Sequence, residues 1–402
     1  MSEKPPISDA TRAKLESLRR RCEQIIGEDE LARRLESGDV LRVKMGMDPT
    51  APDVTLGHTV PLRVMRQFQD WGHKVVLIIG DYTARVGDPS GRNTTRPMLT
   101  PEEIDANAAT YVEQVGMVLD TSADKLEIRR NSEWLGEMDL GETIKLLSRK
   151  TLAQVMERED FRTRYEGGKE IHLHELVYPL LQGWDSVQIE ADIEFGGNDQ
   201  LFNNLVGREF QKQEGQRPQV VIVTPLLVGT DGAVKMSKSK GNYIGLTDPA
   251  GGDGGIFGKV MSLPDTVMES YYQLVTDESR DDYLTLIRES PRNAKVRLAK
   301  HIAAEFHDPA AADAAEKQFM TATHGGIPDD LPEQPVGPGP HGIVDLLRNA
   351  GFVKSNGEAR RKIAEGGVKL DGEKVTDAEH QVTVGDATVL QLGKKKFLRL
   401  LP

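Results

Sequence analysis

The run KVVLIIG, residues 74–80, most restricts what this chain can become. An unbroken apolar stretch closed by glycine leaves no polar face, which is how a strand buried on both sides of a parallel sheet reads. LRVKMGM (41–47) alternates, placing Leu41, Val43, Met45 and Met47 on one face of a preceding strand. Between the two, residues 58–70 carry helical spacing, with Pro61, Val64, Met65 and Phe68 on one side. Proline is best tolerated in a first turn, so this helix is predicted to begin near Gly57–His58. Strand, helix, strand in this order makes a right-handed crossover unit. The alternation continues through KLEIRR (125–130), helical stretches at 141–157 and 173–187, a strand near 190–195 and QVVIVT (219–224). The predicted fold class is α/β, with a parallel-sheet body.

The flanks differ from this body. Residues 8–37 read as an amphipathic helical lead-in, so 1–37 is taken as an N-terminal helical segment and 38–247 as the sheet domain. From 248 to 323 the pattern is helical apart from GGDGG (251–255), which makes a separate helical domain. Residues 324–340 hold five prolines and no apolar period, the composition of an exposed linker. Beyond it, SNGE (355–358) makes a capping box ahead of EARRKIAEG, and VKLDGEKV (368–375) carries an Asp-Gly hairpin turn. Residues 341–402 are therefore expected to form a small α+β module. That module holds 11 Lys and Arg against 8 Asp and Glu, in a chain whose net charge is −12. A basic module on an acidic body suggests a localised anionic partner. Cys22 is the only cysteine, which excludes an internal disulfide or a cysteine-built zinc site and fits a reducing compartment. With no apolar run of signal-peptide or bilayer length, the expectation is a cytoplasmic protein without a membrane partner.

In an open parallel sheet, ligands sit beyond the carboxyl ends of the strands. The segments expected there are polar and glycine-rich: GMDPTAPDVTLGH, GDYTARVGDPSGR, FGGNDQ and LLVGTDGAVKMSKSKGN. No GxGxxG follows a strand, and GDGGIFGKV (252–260) fails as a phosphate loop, with Asp253 for its first glycine and Val260 for its hydroxyl residue. IHLHE (171–175) is read as structural rather than as a metal site, and no protein-bound metal is expected. KMSKSKGN is the strongest signal. It gathers Lys235, Lys238 and Lys240 among Ser237, Ser239 and Gly241, the cations and donors a transferring polyphosphate needs.

TLGH (55–58) followed by KMSKS (235–239) resembles the paired HIGH and KMSKS signatures of class I aminoacyl-tRNA synthetases. The stretches DPTAPD, LGHTV, GDPSGR, YPLLQGWD, GGNDQ and VGREFQ are similar to those of bacterial tyrosyl-tRNA synthetases, over about residues 10–402. The resemblance implies a Rossmann-like catalytic domain, a helical anticodon-side domain and a C-terminal RNA-binding module similar to a ribosomal small-subunit protein. It also implies the reaction. A substrate carboxylate attacks the α-phosphate of ATP, pyrophosphate leaves, and the aminoacyl group passes to the terminal ribose of tRNA. Because the nucleophile arrives ionised, positioning and electrostatics are what the protein must supply.

Carried over residue by residue, His58, Gly57 and Thr50 would hold the ATP phosphates at a helix start, with Lys235, Met236, Lys238 and Ser239 closing over them. Gly196, Gly197 and Asp199 would meet the ribose. Tyr178, Gln182 and Asp185, spaced i, i+4, i+7, share one helical face. On that face Asp185 would accept from the substrate phenol, while Tyr178, Gln182, Asp88 and Gln200 would hold its ammonium. A buried acceptor that phenylalanine leaves unpaired explains rejection of that analogue, an effect for which tyrosyl enzymes are themselves the standard illustration. Thr55 replaces the first histidine of HIGH, where it would donate to a phosphate or cap the helix. Lys44 stands where some tyrosyl enzymes place a tyrosine as second partner of the phenol, leaving more of the selectivity to Asp185. Lys354, Arg360, Arg361 and Lys362 would meet a tRNA backbone. The implied partners are tyrosine, ATP with its Mg2+, tRNA and a second copy of the chain. The competing readings are a tryptophanyl relative, which Gln182 and the basic module disfavour, and a non-catalytic RNA-binding paralogue, which the intact KMSKS disfavours.

Overall fold

The computed structural model describes residues 7–49, 53–89, 100–323, 331–337, 339–384, 388–393 and 396–402. The chain forms two compact units. The first comprises Met1–Asp248 and Ser262–Ala294; the second comprises Pro249–Met261 and Lys295–Pro402.

The first unit is built on a six-stranded sheet: β1 (Gln24–Ile26), β2 (Arg42–Met47), β3 (Lys74–Ile79), β4 (Leu126–Arg130), β5 (Ile193–Gly197) and β6 (Val220–Thr224), in the order β1-β6-β5-β2-β3-β4. All neighbours are parallel except β1, which runs antiparallel to β6 at the edge. Strands β2, β3 and β4 wind one way from the centre, β5 and β6 the other. The order therefore reverses between β2 and β5, where open α/β sheets place their ligand. Residues Val75 to Ile79 of β3 are all buried, as the KVVLIIG run requires. The lead-in helix is interrupted: helices Asp9–Arg19 and Glu28–Ser37 flank β1, whose Ile25 pairs with Ile222, and Gly27 at φ 90° turns the chain into the second helix.

On β2 Lys44 is buried as completely as Val43, between half-buried Arg42 and exposed Gly46, so the strand's alternation does not simply separate an inner from an outer face. The next helix, Leu56–Asp70, begins at Leu56, ahead of the expected start. Pro61 thus falls in its second turn and forfeits the bond to the Gly57 carbonyl. Strand β5 lies later than 190–195, following a positive φ at Glu190, and the helical stretch 141–157 divides into Leu140–Leu147 and Leu152–Val155 at a cap formed by Thr151.

The expected helical domain at 248–323 is shared between the units. Arg20 and Arg21 donate to the carbonyls of Gln273, Leu274 and Thr276 at the end of helix Met268–Val275, whose Met268, Tyr271 and Tyr272 are fully buried. Those bonds satisfy a helix C-terminus and hold it in the first unit. In the second unit, helices Ile256–Met261 and Pro309–Thr323 meet through Phe257 and Phe319, ring centroids 5.5 Å apart.

The C-terminal part of the second unit contains β7 (Glu333–Pro335), β8 (Pro340–Gly342), β9 (Val368–Leu370), β10 (Glu373–Lys374), β11 (Gln381–Thr383), β12 (Thr388–Leu392) and β13 (Lys396–Leu401). Five form a sheet in the order β10-β9-β12-β13-β7, and β8 pairs with β11. The proline-rich 324–340 stretch is thus not linker throughout. β7 runs parallel to β13, and Leu331 is buried with Val389 and Phe397. Prolines are tolerated there because an edge strand has one side without ladder partners. Ser355 caps helix Asn356–Ala364 as expected, but Glu358 accepts from Lys354 N at 2.8 Å, reaching one residue past the cap. Asp371 (φ 48°) and Gly372 (φ 86°) make the hairpin turn.

Candidate active site

At the sheet's switch point the ends of β2, β3, β5 and β6 surround a cavity of about 300 Å³, enough for a small ligand. Its lining brings together Gly57, His58, Thr55, Lys235 and Met236 of the paired motifs with Asp88, Tyr178, Gln182, Asp185, Gly196, Gly197, Asp199 and Gln200, which the wider resemblance implies. Thr50 lies outside the described residues.

The floor is made by helix Tyr178–Gln188. Asp185 is buried there, accepting from Trp134 Nε1 at 2.8 Å and Asn131 Nδ2 at 3.3 Å. Burial pushes its carboxyl up to about 7, against the opposing pull of Lys44 and of those two donors. Tyr178 donates to Asp48 Oδ2 at 2.9 Å, and Thr83 donates to Asp48 Oδ1 at 2.8 Å. Gly80 is required beside them, since a Cβ there would lie 2.0 Å from Asp48 Oδ1. Burial raises the Tyr178 hydroxyl well above its ordinary range, so it stays a donor. On the adjoining wall Gln200 Nε2 donates to Asp88 Oδ2 at 2.7 Å, and Asn203 Nδ2 donates to the amide oxygens of both Gln182 and Gln200.

The opposite end is the start of helix Leu56–Asp70. Thr55 is its N-cap. Thr55 N donates to His58 Nδ1 at 3.1 Å, and the Thr55 hydroxyl lies 2.9 Å from the same nitrogen. Nδ1 is thereby an acceptor, which puts the ring proton on Nε2. Burial first, then Lys238 and Lys235, depress the His58 pKa to about 4, so the ring is neutral near pH 7. The glycines of β5 are demanded by close approach. A Cβ on Gly196 would lie 2.7 Å from Asn204 Nδ2, and one on Gly197 would lie 2.7 Å from Leu226 Cδ2.

The lysine loop hangs from the β6 end by Met236 N to Leu227 O at 2.8 Å. Buried Asn242 braces it, accepting from Ser237 N at 2.8 Å and donating to Asp231 at 2.7 Å. Lys235 pairs with Asp199 at 2.7 Å and Lys238 with Asp53 at 3.2 Å; Ser239 bonds Ser237 at 2.9 Å. Burial lowers the Lys238 pKa, although Asp53 counteracts it.

Lys238 and Ser239 are not part of the cavity lining, and neither is Lys44, whose Nζ is engaged behind the floor by Gln182 O, Ser186 and Glu194. Lys44 is thus held in a buried ion pair with Glu194 on β5, where some tyrosyl enzymes would place a second partner of the phenol. The sequence assigned no role to Asp48, Thr83 and Asn242, although the quoted stretches contain them, and its motifs did not reach Asn131 or Trp134. Asp48 and Asn131 each follow directly on a strand's carboxyl end, a position that could have flagged them. The four basic residues of the C-terminal module lie at helix Asn356–Ala364, where Arg360 meets Glu379 at 2.6 Å and Lys362 meets Glu365 at 2.7 Å. His172 and His174 have ring centroids 5.7 Å apart, but among the described residues no group of three or more His, Cys, Asp or Glu could hold a metal. Nor is any described helix long and apolar enough to cross a membrane.

Comparison with known proteins decides the family. A family model described as tRNA synthetases class I (W and Y) matches residues 36–323, and one described as the tyrosine–tRNA ligase SYY-like C-terminal domain matches 324–400. The chain belongs to the class I tRNA synthetases. Among similar curated relatives of this synthetase is the tyrosine–tRNA ligase of Bordetella pertussis, 50% identical over 405 residues and covering 98% of each chain. That of Idiomarina loihiensis is 49% identical, covering 95% of this chain and 96% of the relative. In fold the synthetase resembles a C-terminally truncated mitochondrial tyrosyl-tRNA synthetase of Aspergillus nidulans, with TM-score 0.64 and 22% identity, covering 78% of this chain and 94% of that one. It also resembles the Archaeoglobus fulgidus tyrosyl-tRNA synthetase solved with L-tyrosine, with TM-score 0.62 and 22% identity, covering 76% and 99%.

Proposed function

We propose that the cavity at the strand ends is where this synthetase activates tyrosine. The activity is tyrosine–tRNA ligation: tyrosine and ATP give tyrosyl-adenylate and pyrophosphate, and tyrosine then passes to the 3′-terminal ribose of its tRNA. The observation that carries the site assignment is the placement of buried Asp185 on one wall and of Gly57, His58 and Lys235 on another wall of the same cavity. A phenol entering toward Asp185 finds an acceptor, and its ammonium meets the oxygens of Gln182, Gln200 and Asp88. Its carboxylate then points toward the helix start, where the α-phosphate must lie.

At that end His58 offers Nε2–H, and the first-turn amides offer further donors to ATP phosphates. Lys235 and Lys238, now paired with Asp199 and Asp53, exchange carboxylate for pyrophosphate as charge builds in the transition state. Mg2+ arrives with ATP as part of the substrate. The exposed ion pairs of Arg360 and Lys362 hold those side chains weakly, so a tRNA phosphate can displace their partners. Leu140, Ile144 and Leu147, at i, i+4, i+7 of one helix, are 76%, 57% and 40% exposed, an apolar stripe suited to a second copy of the chain. The cytoplasm is the compartment that supplies all these partners.

The test is amino-acid-dependent exchange of labelled pyrophosphate into ATP without tRNA, comparing tyrosine, phenylalanine and tryptophan. Exchange with tyrosine alone is expected. Exchange with tryptophan would move the pocket to the sister specificity, and none with any amino acid would refute the assignment.

A further inference from the structure

Lys44 is a fully buried lysine in the central strand of the sheet, and the reaction as proposed does not use it. Its Nζ lies 2.8 Å from Glu194 Oε1, 2.7 Å from Ser186 Oγ and 3.0 Å from the Gln182 carbonyl, which engages all of its N–H donors. Glu194 is equally buried. Its Oε1 also accepts from Gln182 Nε2 at 3.3 Å, and its Oε2 accepts from Ser186 Oγ at 3.1 Å and from Gln219 Nε2. Taking two charges out of water is costly, and apolar residues of the same volume would often serve stability as well. Stability alone therefore does not account for the pair.

Its bonds converge on Gln182. A carboxamide has one end that can accept from an ammonium and one that cannot. The Glu194 carboxylate, 3.3 Å away, and the Asn204 carboxamide, 3.0 Å away, both meet the Nε2 end. From the other side Arg158, a donor only, bonds Asn203 Oδ1 at 3.0 Å and so turns Asn203 Nδ2 toward Gln182 Oε1 at 2.9 Å and Gln200 Oε1 at 3.0 Å. Gln200 in turn presents Nε2 to Asp88 at 2.7 Å. Donor and acceptor senses agree along the bonds that run from Lys44 through Glu194, Gln182, Asn203 and Gln200 to Asp88, and these bonds present the oxygens of Gln182 and Gln200 as acceptors.

We propose that Lys44, through its ion pair with Glu194, is a positioning residue that fixes the Gln182 carboxamide to receive the substrate ammonium, acting from behind the pocket and not at the phenol. The inference rests on the reading that Tyr178, Gln182 and Asp185 face bound tyrosine.

Removing one partner alone would strand a buried charge, so the decisive variant is the neutral pair Lys44→Met with Glu194→Gln. Pyrophosphate exchange gives KM for tyrosine and for ATP. Inhibition by 3-(4-hydroxyphenyl)propionate, which keeps the phenol and lacks the amino group, isolates the ammonium. Expected are a KM for tyrosine raised about 10-fold or more, a KM for ATP within about 2-fold of wild type, an unchanged inhibition constant for the desamino analogue and an unchanged preference for tyrosine over phenylalanine. Equal weakening of tyrosine and the desamino analogue, or an unchanged KM for tyrosine, would overturn the proposal while leaving the site reading intact. So would a collapse of the tyrosine preference, because it would place Lys44 at the phenol. A wild-type enzyme inert with tyrosine would instead remove the site reading itself, and this proposal with it. Should the double variant not fold, Ser186→Ala decides. It deletes the hydroxyl that bridges Lys44 and Glu194, and it is expected to raise KM for tyrosine about 3-fold with the same selectivity; no change would count against the proposal.

Discussion

At the scale of single residues, the specificity proposed for Asp185 is set against stability. Its pKa rises from 3.8 to about 7 because it is buried, so between those values the folded chain holds a proton that the unfolded chain releases. Lowering the pH across that window therefore favours folding on this group's account, and its cost is fully present above pH 7. Asp185→Asn is expected to melt higher than wild type at pH 8, with the difference shrinking toward pH 5; calorimetry at the two pH values checks both. The same variant should lose about 10- to 100-fold in preference for tyrosine over phenylalanine, the worth of a hydrogen bond to a charged acceptor. Thr55 is a second case. Its hydroxyl touches His58 Nδ1, so its expected part is to steady that ring. Thr55→Val should lower kcat for pyrophosphate exchange about 10-fold and leave the dissociation constant for tyrosine within about 2-fold, with Thr55→Ser restoring the rate. Equal loss in both quantities would sink that role.

At the scale of elements, what the sequence disclosed follows from how local each signal is. Strands β2, β3, β4 and β6 and the helix after β2 were legible because apolar period is a property of neighbours in the chain. β1 was not, since three residues at a sheet edge carry no period, and β7 was hidden by prolines that an edge accepts. One end of the cavity was legible in TLGH and KMSKS and the other in the spacing of Tyr178, Gln182 and Asp185, whereas the Lys44–Glu194 pair joins positions far apart in sequence. Nothing in LRVKMGM says that its lysine has a partner on β5. The helices that carry this pair's supports also cross closely. A Cβ on Gly207 would lie 2.7 Å from Ser186 Oγ and 2.8 Å from Gln219 Nε2, both bonded to Glu194. Gly207→Ala must displace them, which is expected to cost about 1–3 kcal/mol of stability and to raise KM for tyrosine more than KM for ATP. Urea unfolding and exchange kinetics read the two effects separately.

At the scale of the whole molecule, an acidic chain that acts on a polyanion is proposed to meet it where charge allows. The residues of the cavity at the strand ends all belong to the first unit, while the net-basic segment 341–402 lies in the second, around a core that includes Ile343, Leu347, Ile363 and Leu390. Lys354, Arg360 and Arg361 are exposed and Lys362 is half-buried; none of the four is in that core. Replacing all four by alanine breaks exposed ion pairs worth at most about 1 kcal/mol each, so the fold should survive. Tyrosine-dependent pyrophosphate exchange, which involves no tRNA, should stay within about 2-fold of wild type. Aminoacylation should weaken through KM for tRNA. Because each lost phosphate contact no longer releases counterions, the log–log dependence of that KM on salt should flatten by about 0.7 to 0.9 for every side chain that met a phosphate. A slope unchanged from wild type would mean that these four side chains touch no phosphate and that tRNA binds this enzyme by another face. A flatter slope accompanied by an equal fall in exchange would mean that the substitutions had damaged the fold, which melting curves of the variant would then show.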